Sequence, residues 1–230
     1  MSAAPGKPLR VLVAGAAKVV VQEIRGAFEA GSGRSLDVSF DTVGVLRDRV
    51  LGGEAADVAI LSAQALEAVA AKGLSRGESV ALGQTGVALG GRRGMAPAPM
   101  DTPERFRDVL LTAKSIGYAD PDRGATAGRH FRAVLERMGL KDALANRLRM
   151  FPFGVEAIDA LVRGEVEIAV SQATEILTHD VVYLGPFPEP YGLATAYGAA
   201  ALSDDAGARA FLALLEAPET APVLRRTGFF

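Results

Sequence analysis

Six short segments of this 230-residue chain set small or hydroxyl-bearing residues between an apolar run and a helical repeat. They are Ala14–Lys18, Asp41–Gly44, Ser62-Ala63, Asp120–Gly128, Gly154–Glu156 and Ser171-Gln172. Each apolar run predicts a strand and each repeat a helix, so every segment is a turn at a helix N-terminus. Backbone N–H groups there have no intrahelical acceptor and carry the positive end of the helix dipole. Several such ends converging on one point hold a small anion without net positive charge. The candidate ligand contacts are Ala16, Ala17, Lys18, Thr42, Ser62, Tyr118, Gly124, Ala125, Thr126, Ala127, Val155 and Ser171. In Gly124-Ala125-Thr126-Ala127-Gly128 small side chains admit a ligand close to the backbone, and the Thr126 hydroxyl can donate. Helix capping is the other explanation for the hydroxyls of Thr126, Ser62 and Ser171, and one residue can do both.

Composition removes most other chemistry. Cys is absent, which excludes disulfides, thiolate catalysis and zinc–thiolate sites. Only His130 and His179 are present, too few for a poly-histidine metal site. No P-loop, GxGxxG or HExxH occurs, and no cofactor or metal is expected. Lys and Arg number 25 against 27 Asp and Glu, a net charge of −2, so nucleic acid is not an expected partner. No apolar run reaches membrane-spanning length. The first ten residues, MSAAPGKPLR, hold no apolar core of a signal peptide. The expected location is therefore the periplasm if a signal has been removed, and the cytoplasm otherwise.

Strand and helix signals alternate along the chain. Strands are predicted at 10–14, 36–40 and 57–61, with helices at 16–30, 43–51 and 63–71 between and after them. This β-α-β-α-β-α order favours a parallel sheet flanked by helices. Two apolar runs, 80–82 and 85–89, are separated by Gly83-Gln84 and followed by a Gly-, Pro- and Arg-rich loop at 90–99. A second α/β series follows. Its predicted strands are 115–119, 147–151, 166–170 and 181–184. Its predicted helices are one starting at Thr102-Pro103-Glu104, then 127–138, 155–162 and 172–178. A strand at 193–202, a helix at 204–216 capped by Ser203, and a last helix at 218–226 complete the chain. The expected organisation is α/β with two lobes, residues 1–83 plus 192–230 and residues 84–191. Two crossings between them would make a hinge around a shared cleft.

Several stretches together resemble the type II periplasmic binding proteins, in particular the molybdate-binding-protein-like branch. They are VLVAGAAKVVVQEI (11–24), DVAILSA (57–63), KSIGYADPDRGATAGRHFRAVLERMG (114–139), LVRGEVEIAVSQ (161–172) and the tail 211–228. The resemblance implies the two-lobed fold with mainly parallel sheets, a small anionic ligand, and an ABC permease as partner. At the first turn, where that branch usually carries a Ser, this chain reads Ala16-Ala17-Lys18. At the second, Asp41-Thr42 stands where a Ser-Thr pair is common. Losing those hydroxyls favours an organic carboxylate over molybdate, and Lys18 adds a cation that can meet one. The expected function is thus solute binding. The alternative is isomerisation or dehydration of a small unsaturated carboxylic acid on the same fold. That chemistry needs one base beside the anion cradle, and Lys18, His130, Glu156 and Tyr118 are the candidates.

Overall fold

The structure, a computed structural model, describes residues 6–96 and 99–230. The first five residues and the loop positions 97 and 98 lie outside the described residues. The chain forms two compact units, one running through Gln84 and resuming at Thr195, the other Thr85–Ala194.

In the first unit, β1 (Leu9–Ala14) lies parallel between β2 (Leu36–Asp41) and β3 (Val58–Ser62). β9 (Ala194–Ala201) adds antiparallel to β3, pairing Tyr197 with Ser62, and β4 (Arg76–Gly91) follows it. The helices are α1 (Lys18–Ser32), α2 (Val43–Leu51), α3 (Ala63–Ala71), α9 (Ala206–Glu216) and α10 (Ala221–Arg226). Val20, Val21, Ile24 and Phe28 give α1 one apolar face. That face meets α9 through Phe28 and Phe211, whose rings stand edge to face at 5.3 Å.

In the second unit, β5 (Ile116–Ala119) lies parallel between β6 (Leu148–Phe151) and β7 (Ile168–Gln172). The later half of β4 runs antiparallel to β7 and to β8 (Val182–Pro186). Helices α4 (Pro103–Thr112), α5 (Thr126–Arg137), α6 (Lys141–Leu144), α7 (Gly154–Val162) and α8 (Ala173–Leu177) cover this sheet. Strand alternation splits the core in two. Val87, Ile168 and Val170 face Phe106, Ala127 and Phe131 of α4 and α5. Ala88 and Ala169 face Ala157, Ile158, Leu161 and Ile176 of α7 and α8.

Four features depart from the sequence expectation, each for a visible reason. The runs 80–82 and 85–89 belong to one strand, β4, and Gly90-Gly91 continue it. Gly83 adopts φ 117°, a conformation open to Gly. Gln84 and Phe230 then exchange backbone hydrogen bonds of 2.9 and 3.0 Å, so the break is bridged by the C-terminal residue. The helix predicted from residue 16 starts as a 3-10 turn, Gly15–Ala17, before α1. The cap of α9 is Asp205, accepting from Gly207 N at 2.6 Å and ion-paired to Arg34, which holds its carboxyl below the usual range. Ser203, the expected cap, instead donates to Asp57 at 2.9 Å. Finally, β7 begins two residues later than predicted and runs through Gln172, because its ladder with β4 continues to the Val87–Gln172 pair. Helix α6 had no distinct sequence signal.

Candidate functional site

Because β1, β2 and β3 are parallel, their C-terminal ends share one edge of the first unit's sheet. Open α/β sheets bind ligands outside such ends. The turns there carry Ala16, Ala17 and Lys18, then Thr42, then Ser62. Ala16 and Ala17 are buried and their methyl groups belong to the core, so this turn offers backbone N–H groups and no hydroxyl. The Lys18 ammonium lies 5.7 Å from the Phe40 ring centre. Thr42 caps α2, its hydroxyl accepting from Val45 N at 3.3 Å, and Asp41 accepts from Thr42 N at 2.8 Å. Ser62 caps α3, accepting from Ala65 N at 3.4 Å. Accepting at its oxygen leaves the Ser62 hydroxyl proton able to donate.

In the second unit, β5, β6 and β7 are parallel and end together at Ala119, Phe151 and Gln172. The turn after β5 is built by Asp120, which accepts from Asp122 N at 2.9 Å, and by Gly124 at φ 75°. Ala125 is the N-cap of α5 and makes no side-chain cap bond, while Thr126 is the first helical residue. Thr126 is therefore not the cap. Gly128 lets this first turn sit directly on the carbonyl of Ala119, closer than any Cβ would permit. Tyr118 packs edge on to Phe131 at 5.5 Å, and burial, then Asp120, push its hydroxyl above the usual tyrosine range.

The turn after β6 starts α7 at Gly154 with no side-chain cap from Phe153. Arg123 stacks on the Phe153 ring at 4.9 Å, joining this turn to the one after β5. Val155 and Glu156 follow in the first turn of α7. Ser171 reaches the same place from β7, and its hydroxyl donates to Glu175. A Cβ on Gly154 would lie 2.5 Å from both Ser171 Oγ and Glu175 Oε2. A carboxylate of the chain itself thus sits against the start of α7, where the helix dipole favours it.

Two residues at this edge were not among the candidate contacts. One is Glu175. The other is Gln172, in the Ser171-Gln172 turn and only 4% exposed, whose amide nitrogen and oxygen both lack a partner among the described residues. The hydroxyls of Thr85 and Thr174 are likewise buried and unpartnered. A polar residue closing a buried apolar strand was the one available hint. Among the base candidates, His130 directs Nε2 at the Tyr191 carbonyl, 2.7 Å away, which requires the proton on that nitrogen. Among the described residues no cluster of His, Asp and Glu can hold a metal ion, and no helix is long and apolar enough to cross a membrane.

Residues 9–230 match the family described as bacterial extracellular solute-binding protein. The chain belongs to this family. An aconitate isomerase from a Pseudomonas species is 27% identical over 239 residues, covering 99% of this chain and 89% of its own. The periplasmic molybdate-binding protein of Azotobacter vinelandii superposes with a TM-score of 0.79 at 17% identity, over 96% of this chain and 98% of its own. The sulfate-binding protein of Mycobacterium tuberculosis does so with a TM-score of 0.69 at 15% identity, over 97% of this chain and 86% of its own. At such identity the two structures speak for the type II periplasmic binding fold alone.

Proposed function

We propose that this solute-binding protein takes a small organic carboxylate, held mainly by backbone amides and hydroxyls at the strand ends. The observation that carries the reading is the uncapped start of α5 beside a buried, unpartnered Gln172 amide. A helix start supplies N–H donors to an anion, and a buried amide without a partner costs about 1–3 kcal/mol unless something pairs with it. One feature favours a carboxylate over a tetrahedral inorganic oxyanion: the Ser171 proton is committed to Glu175. Periplasmic delivery of the ligand to an ABC permease is the role that fits the family. The test is a thermal-shift panel of molybdate, tungstate, sulfate, phosphate and di- and tricarboxylates. A carboxylate at a hundred times its Kd should stabilise the protein by about 2.7 kcal/mol. Shifts with molybdate or sulfate and none with carboxylates would reverse the preference, and no shift at all would end the reading.

The isomerase-named relative favours a second reading, proton transfer within a small unsaturated carboxylic acid. A base would remove a proton beside one carboxylate and return it at the far end of the allylic unit. The raised Tyr118 hydroxyl argues against that group, while Lys18, Glu156 and His130, whose Nδ1 accepts when Nε2 donates to Tyr191, remain candidate bases. Incubating cis- and trans-aconitate separately with the protein and following them by proton NMR distinguishes the readings: interconversion supports catalysis, unchanged spectra support binding.

A further inference from the structure

Gln172 points to more than an anion. Its carboxamide has one acceptor and two N–H donors, and neither end has a partner among the described residues. Ionised carboxylates, sulfate and molybdate offer acceptors only. They can satisfy the amide nitrogen and must leave the carbonyl oxygen buried and unpaired. A carboxylate that also carries a donor, such as a hydroxyl, pairs with both ends.

The side chain is set to meet such a group. Val170 and Val87 belong to the core under α5, as do Ala127 and Phe131. Gln172 is two residues beyond Val170 and pairs with Val87 across the ladder, so it takes the same sheet face. Extending the β5–β7 register by two residues brings Gln172 level with Asp120, where the turn into α5 begins. The first turn of α5 is held over that strand end by the Gly128–Ala119 contact. Thr85, two residues before Val87 on β4, takes the same face and carries another buried hydroxyl without a partner among the described residues. Ser171, on the opposite face, is already paired with Glu175.

We infer that the ligand is a hydroxycarboxylate, its carboxylate on the start of α5 and its hydroxyl read by the Gln172 carboxamide. This rests on the carboxylate reading above and narrows it. A site that pairs with a ligand hydroxyl rejects the analogue lacking it, because its own polar groups are then stranded.

The experiment compares matched pairs by calorimetry on the wild-type protein and on Gln172→Met: citrate with tricarballylate and with cis-aconitate, and malate with succinate. Wild type should bind the hydroxylated member at least about tenfold tighter. In Gln172→Met, which fills a similar volume without polar atoms, the ratio within each pair should fall to near one. The variant's melting temperature should match or exceed the wild type's, since two stranded polar atoms are gone. Equal affinities within every pair, a tighter fit for cis-aconitate than citrate, or a preference that survives Gln172→Met would overturn the inference while leaving carboxylate binding intact. Binding of neither member of any pair would instead remove the carboxylate reading on which it rests.

Discussion

Replacing Gly128 with Ala is expected to destabilise the protein by about 1–3 kcal/mol and to weaken ligand binding together with it. The added methyl group would fall inside contact distance of the Ala119 carbonyl oxygen and carbon, and neither is a side chain that can turn away. Helix α5 must then lift at its first turn, the end that carries Thr126 and Ala127. The same substitution at Gly26 is the control. Gly26 is exposed in the middle of α1 with nothing within 4 Å of the new Cβ, so Ala there should add about 0.5–1 kcal/mol through helix propensity. Urea unfolding followed by circular dichroism measures both. A Gly128→Ala protein as stable as wild type would mean that α5 does not rest on β5 as described.

Phe131→Ala has the largest expected effect, a loss of about 3–5 kcal/mol. Phe131 is fully buried under α5 and meets the Tyr118 ring at 5.5 Å and the Phe187 ring at 6.1 Å, both edge on. Removing it opens a cavity between strand and helix that the fixed backbone of β5 and β7 cannot fill. The Phe187 ring also touches Phe106 at 4.6 Å, so the loss spreads to α4. Phe230→Ala is the contrast. That side chain is 76% exposed, and only the backbone of Phe230 pairs with Gln84, so the change should stay within about 0.5 kcal/mol. Comparable losses for the two variants would contradict the core assignment of the second unit.

Local chemistry explains which parts were legible in the sequence. Helices α2 and α3 have the expected bounds because their signals are adjacent in the chain: Ser62 as a cap, Gly52 and Gly73 just past the ends. Helix α4 was equally plain from Thr102 and Pro103. What was not legible depended on partners far along the chain. The continuity of β4 rests on Phe230, the cap of α9 on which partners Ser203 and Asp205 find, and the extension of β7 through Gln172 on Val87. The candidate site divides the same way. Its turns follow from strand–turn–helix alternation, which is local. The Ser171–Glu175 pair and the stranded Gln172 amide follow from packing, where no spacing rule reaches.

The central claim is that backbone amides at the strand ends of the second unit hold a carboxylate. Amide chemical shifts during a titration test it most directly, with citrate and cis-aconitate as probes. The largest displacements should fall on the N–H groups of Thr126 and Ala127 and on the Gln172 side-chain amide, saturating together. The chain also has a cavity of about 370 Å³ between α3, β4 and β9, bordered by Leu66, Ala70, Val80 and Tyr197. Displacements confined to those residues, with α5 and α7 unmoved, would contradict the account.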